Sequence, residues 1–122
     1  MILLDTNAVI WLLQGHRRVR PLLKLPRLYI SPASLLELQM LVESGRGRPL
    51  AGNAIADIAQ DPRWLQDEPP SGDWFHTSMD LTWTRDPFDR LIVAHARFRG
   101  WKLATGDARL SEHLSPRELL LI

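Results

Sequence analysis

Five acidic residues stand where they could act together. Asp5 ends the apolar run Ile2-Leu3-Leu4. Glu37 lies in a helical pattern that follows a second apolar run, Leu28-Tyr29-Ile30. Asp86 and Asp89 flank Pro87-Phe88 at the start of the strongest helical pattern in the chain. Asp107 closely follows a third run ending at Ala104. Two carboxylates about 5 Å apart repel by roughly 3 kcal/mol at an effective dielectric of 20. A cluster of them takes up protons or holds a divalent cation, and the cation keeps every ligand in use. An all-oxygen donor set with few protein contacts suits Mg²⁺ or Mn²⁺. The natural substrate for such a site is a phosphodiester, whose oxygens complete the coordination.

Each acid also has a purely structural use. Asp5 or Thr6 can cap the helix that follows. Ser34 and Glu37 have capping-box spacing, and Asp86 and Asp89 a looser acidic version of it. Asp107 can cap a short helix, and acids near helix starts complement the macrodipole. Glu37 fits this account least. At helical spacing its neighbours are Ala33, Ser34, Met40 and Leu41, a largely apolar surface, so its carboxylate is expected to point into the protein. No lysine or arginine lies three or four residues away on the same helix. Its compensation must come from elsewhere in the fold or from a cation.

The elements that must position these acids alternate. Strands are expected at 2–4, 28–30, 64–66, 101–104 and 119–122. Helices are expected at 8–14, 18–24, 32–44, 51–60, 73–81, 87–99 and 108–114. Gly15 and Gly100 read as stop signals, Ser31-Pro32 as a helix start, and Pro21 as a disturbance inside the second helix. Strand–helix alternation implies an α/β layer with a mainly parallel sheet. In such sheets ligands bind beyond the carboxyl ends of the strands. Asp5 ends the first strand and Asp107 closely follows the strand ending at Ala104, so one sheet edge can gather the acids.

Composition narrows the class. The 122 residues suit one domain, 1–122, and 45% hydrophobic with 24% charged residues is an ordinary globular balance. With no cysteine, disulfides, thiolate zinc sites and cysteine nucleophiles are excluded. No secretory pattern or span-length apolar run is visible, so a cytoplasmic location and no membrane partner are expected. The net charge of +1 hides an asymmetry. Seven basic residues lie between Arg17 and Arg48 against two acids, whereas Asp57 to Asp80 holds six acids against Arg63 alone. That distribution permits an anionic partner, or simply two solvated faces.

The segments Leu4-Asp5-Thr6-Asn7, Ser34-x-x-Glu37, Asp86-Pro87-Phe88-Asp89-Arg90-Leu91-Ile92-Val93-Ala94 and Ala104-Thr105-Gly106-Asp107 resemble, in order and over essentially the whole chain, the PIN-domain family. The chain length and the Arg-Asp-Pro-Phe-Asp-Arg block resemble the VapC-type toxins of bacterial toxin–antitoxin pairs. The resemblance implies a three-layer fold, with a central, mainly parallel five-stranded sheet flanked by helices. It implies a Mg²⁺- or Mn²⁺-dependent endoribonuclease, dimeric or in a larger assembly, held in check by a cognate antitoxin. Asp5, Glu37, Asp89 and Asp107 match the catalytic acids, and Asp86 a further acid. Gly106 stands where a larger residue is common.

In this reading Asp5 and Asp89 hold a first ion, Asp107 shares it or helps a second, and Asp86 adds to the metal set. Glu37 orients or deprotonates the attacking water. Family analogy adds in-line attack leaving 5′-phosphate and 3′-hydroxyl ends. Thr6, Asn7 and Ser34 hold the carboxylates or the substrate phosphate. Arg85 and Arg90 grip RNA phosphates or form surface ion pairs. Leu22, Leu23, Leu36 and Met40 are, by the same analogy, walls of an antitoxin groove.

Two other readings keep the resemblance but change the role: a PIN nuclease of RNA processing, and a non-catalytic PIN-like module that binds RNA or protein. A phosphotransferase of the haloacid dehalogenase type expects Asp-x-Asp, and Asp5-Thr6-Asn7 lacks the second aspartate. The four histidines are scattered without ligand spacing, so zinc catalysis is unsupported, and His95 reads as packing or surface. No Gly-x-Ser-x-Gly elbow or phosphate-binding glycine loop occurs. Trp11 and Trp101 fit core positions. Trp64, Trp74 and Trp83 lie near expected loops or helix edges, where they pack, stack on bases or anchor a partner.

Overall fold

The computed structural model describes residues 1–45 and 55–122. The expected basic loop after Gly45 and the first turn of the helix expected at 51–60 lie outside the described residues. Five strands form one all-parallel sheet: β1 (Ile2–Leu4), β2 (Leu28–Ile30), β3 (Leu65–Gln66), β4 (Lys102–Thr105) and β5 (Leu119–Leu121). Their spatial order is β3-β2-β1-β4-β5. Leu3 pairs with Tyr29 on one side and with Leu103 on the other, and Leu103 pairs with Leu119. The chain builds outward from β1 to β3, then crosses to the other side for β4 and β5. The switch point therefore lies between β1 and β4, where an open α/β sheet places its ligand crevice.

A parallel sheet needs cover on both faces, and side chains alternate across it with period two. Leu4, Leu28, Ile30 and Ala104 face one core, which also takes Ala8, Val9 and Leu12 from α1 (Thr6–Gln14). Ile58 from α3 (Ile55–Ala59) and Leu38 from α2 (Pro32–Glu43) join the same core. Leu3, Tyr29 and Leu103 face the other. There they meet Trp74 of α4 (Ser71–Ser78), Ile92, Val93 and Ala96 of α5 (Pro87–Arg99), and Leu110 of α6 (Ala108–His113). This is the three-layer α/β architecture expected from the sequence.

Local chemistry sets the helix ends. α5 begins with Asp86 as N-cap and Pro87 at its first position. It ends at Gly100, whose φ of 70° is a left-handed conformation that glycine adopts without a Cβ clash. The helix expected at 18–24 is instead a 3₁₀ turn, Arg17–Leu22, because Pro21 has no N–H to continue an α-helical ladder. α4 starts two residues earlier than expected, directly after Pro70, and β4 sits one residue later. The tryptophans exchange expected roles. Trp64 and Trp74 are buried, while Trp11 and Trp101 are only half-buried. The indole N–H groups of Trp64 and Trp74 donate to the carbonyls of Ile58 and Leu91, so neither ring is free to meet a base.

His95 is fully buried on α5 and pairs with a residue the sequence did not single out. Its Nε2 lies 2.7 Å from Asp67 Oδ2, just past β3. Arg99 donates to the same carboxylate at 2.9 and 3.2 Å. Burial acts to raise the Asp67 pKa, but the bonds from Arg99 and His95 outweigh it, and the group titrates below the usual carboxylate range. Burial holds His95 neutral, with its pKa lowered. This cluster straps the short edge strand β3 to α5. Asp67→Ala leaves the buried imidazole N–H without an acceptor and is expected to cost about 2 kcal/mol. The check is the urea midpoint at neutral pH with the slope unchanged.

Candidate functional site

β1 ends at Leu4, and Asp5 takes the next position, at the switch point. Its backbone N–H donates to the Ala104 carbonyl of β4 at 3.1 Å, which ties the two strand ends together. Its side chain turns onto α1 and accepts from the Ala8 N–H at 2.7 Å. Asp107 does the same for α6, accepting from the N–H groups of Arg109 and Leu110 at 2.8 and 3.4 Å. Asp86 caps α5 by accepting from Phe88 and Asp89 at 2.8 and 3.3 Å. In all three the Oδ1 atom serves the helix, while the residue also borders the space in front. The capping and the functional readings of these acids are thus compatible.

That space is a pocket of about 250 Å³ at the carboxyl edge of the sheet. Asp5, Glu37, Asp86, Asp89 and Asp107 all line it, with Thr6, Asn7 and Arg109 among the other polar groups. Five acids spread over about one hundred residues of sequence therefore face one cavity. Glu37 points inward from α2, as its apolar neighbours required. Its partner is Thr6, whose hydroxyl donates to Glu37 Oε1 and also lies 3.3 Å from Ser34 Oγ.

The electrostatics record the crowding. Burial pushes Asp5 up to about 6, reinforced by the charges of Asp107 and Glu37 and opposed by hydrogen bonds from Thr105 and Ala8. Asp89 is raised to about 7 by burial and then by Asp86, Glu37 and Asp107. Glu37 is raised by burial and by Asp86, against the bond from Thr6. Arg109 is the nearby cation, 3.9 Å from Asp89 and largely exposed.

Among the described residues, no three acidic or histidine side chains already stand close enough together to clasp one ion. The donor set still fits a hard divalent cation. It is all-oxygen, it is under mutual repulsion, and it offers single oxygens that water would supplement, as Mg²⁺ prefers.

The PIN domain family model matches residues 2–113. The chain belongs to the PIN domain family. A comparison with curated proteins finds no match. Among solved structures, this PIN domain is similar to a toxin–antitoxin complex from Klebsiella pneumoniae. The TM-score is 0.66 at 18% identity, over 98% of this chain and 96% of that one. It is also similar to VapBC2 from Rickettsia felis bound to a DNA fragment from their promoter. There the TM-score is 0.65 at 21% identity, over 100% of this chain and 98% of that one. At these identities the likeness is one of fold.

Several residues expected at the site stand elsewhere. Ser34 is fully buried behind Thr6 and does not line the pocket of the PIN domain. Arg85 is exposed and outside the lining, and Arg90 spends its Nε on the Thr84 carbonyl at 2.8 Å. Leu22 cannot wall an open groove, because the turn Arg17–Leu22 drives it fully into the core. Leu23, Leu36 and Met40 remain exposed. Sequence reasoning missed Thr105, a buried hydroxyl that bonds Asp5 and accepts from the Asp107 N–H at 3.0 Å. It also missed Arg109. A signal existed: an arginine in the first turn of a helix opposes the macrodipole and asks for a nearby anion.

Proposed function

We propose that this PIN domain, acting as one unit over residues 1–122, is a divalent-metal-dependent endoribonuclease and the toxin of a toxin–antitoxin pair. The observation that carries the reading is the convergence of Asp5, Glu37, Asp86, Asp89 and Asp107 on one pocket, with Asp5 and Asp89 strained upward in pKa. Such a pocket repels a polyanion unless a cation sits in it. Membership of the PIN family and the fold shared with toxins from toxin–antitoxin complexes support the same assignment.

Asp5, Asp89, Asp107 and Asp86 would hold Mg²⁺ or Mn²⁺ through the oxygens not used as caps. When bound, the ion supplies Lewis acidity and positive charge against the phosphoryl oxygens. Glu37 receives the proton of the attacking water, a task suited to a carboxylate whose pKa burial raises. Thr6, backed by Ser34, fixes the orientation of Glu37. Asn7 is exposed at the pocket wall and meets the substrate phosphate. Arg109 lies 3.9 Å from Asp89 and, being largely exposed, is available to a substrate phosphate.

The partner is a cognate antitoxin, for which exposed Leu23, Leu36 and Met40 offer apolar contacts, and the toxin is a homodimer or part of a larger complex. No described helix is long and apolar enough to cross a membrane, and the proposed setting is the cytoplasm. The test uses purified chain, cellular RNA and end-mapping of the fragments. Cleavage that leaves 5′-phosphate ends, stops with EDTA and returns with Mg²⁺ or Mn²⁺ is the expected result. Intact RNA in the presence of either metal overturns the reading.

A further inference from the structure

We propose that Arg18 grips the RNA backbone at the rim of the acidic pocket, and that Gly106 is the residue that lets it lie there. This rests on the nuclease reading for the identity of the polyanion.

The 3₁₀ turn Arg17–Leu22 is pinned by buried Val19 and exposes Arg17, Arg18 and Arg20. The Arg18 guanidinium lies over the Trp11 ring, 4.4 Å from its centroid, and donates from Nη2 to the main-chain oxygen of Ile122 at 2.9 Å. It is thereby carried over α1 to the carboxyl edge of the sheet. Gly106 shows how closely it arrives. A Cβ at that position would meet Arg18 Nη2 and Trp11 Cη2 each at 2.7 Å. Any side chain there would push the pair away. The next residue is Asp107, in the pocket wall.

Arg18 is not a counter-ion for the acids. Among the described residues no aspartate or glutamate side chain pairs with it, and one donor of its five is committed, to the main-chain oxygen of Ile122. An exposed, oriented guanidinium with unused donors beside an anionic pocket has the chemistry of a phosphate clamp. An acidic cleft that cuts a polyanion needs such help. The metal answers the scissile phosphate, and a cation at the rim answers its neighbour. Stacking on Trp11 fixes the planar fork before RNA arrives, so less side-chain freedom is lost on binding.

The experiment measures RNA affinity and cleavage on the same proteins. Arg18→Ala is expected to raise KM for an RNA oligonucleotide about tenfold, the worth of one charge-assisted hydrogen bond, and to leave kcat within about twofold. Binding by fluorescence anisotropy between roughly 50 and 200 mM salt should show a log–log slope shallower by about 0.7, one counterion on a single strand. Arg18→Lys keeps that slope, and Gly106→Ala reproduces the loss seen with Arg18→Ala. A purely structural role would lower the melting temperature and leave the salt slope unchanged, and that result overturns the proposal. So does a chain that binds no RNA at all. Arg18-dependent binding by a chain that never cuts would sink the nuclease reading and leave this one standing.

Discussion

Asp5→Asn is expected to cleave RNA about a thousandfold more slowly than the parent chain, with its fold unchanged. A bound divalent ion stabilises the transition state by several kcal/mol, and each 1.36 kcal/mol is a factor of ten in rate. Asp5 sits at the switch point between β1 and β4, is only 5% exposed and carries the most enclosed charge of the pocket. Asparagine keeps the Oδ1 atom that caps the Ala8 N–H, along with the volume of the side chain. It removes the charge and replaces the second carboxylate oxygen with an amide nitrogen, which donates instead of accepting. The melting temperature in EDTA at pH 7.5 should therefore hold or rise, because an uncompensated buried carboxylate has gone. Full-rate cleavage by the purified variant would remove Asp5 from the site. Loss of the near-UV circular dichroism spectrum would mean that the fold, not the chemistry, had been tested, and Asp89→Asn then serves as the second variant.

The metal-free chain should lose stability as pH rises from about 4 to about 7. The sign follows from proton binding. Folded Asp5 and Asp89 keep their protons up to about 6 and about 7, whereas the unfolded carboxyl releases its proton near 3.8. Across that window the native state binds more protons, so the stability these groups contribute is present below 3.8 and lost as pH passes through the folded values. For Asp5 alone the loss is about 3 kcal/mol, from a shift of about two units. Mg²⁺ at millimolar concentration should restore much of it above pH 7, because an ion that binds only the folded pocket stabilises by mass action. Asp67 acts in the opposite direction and in a different window, below the usual carboxylate range. Differential scanning calorimetry in EDTA across pH 4–8 reads the effect. A flat profile in the parent chain, or one equally steep in Asp5→Asn, contradicts it.

Legibility in the sequence tracked the range of the interaction. β1, β2 and β5 were readable because short apolar runs between turn signals have few other uses. α5 was readable from Asp86, Pro87 and Gly100, which act within a turn of their own position. The 3₁₀ turn was misread as a helix although Pro21 was visible, since a missing N–H disrupts a ladder without saying what replaces it. Glu37 was the most informative single residue. Its apolar surroundings on α2 called for a distant partner, and Thr6, 31 positions away, fills that place.

The sequence by itself determined the order of elements, the two-faced sheet and the placing of acids at strand ends and helix starts. Those features follow from periodicity and capping, which operate over two to four residues. Only the tertiary structure decided that the capping aspartates Asp5, Asp86 and Asp107 border the same pocket as Glu37 and Asp89. It alone paired His95 with Asp67, buried Leu22, Trp64 and Trp74, and brought Arg109 to Asp89 and Arg18 to Gly106. The reason is physical. Charge, burial and pKa depend on what packs within a few ångströms, and in a parallel sheet those neighbours come from segments that crossovers separate by tens of residues.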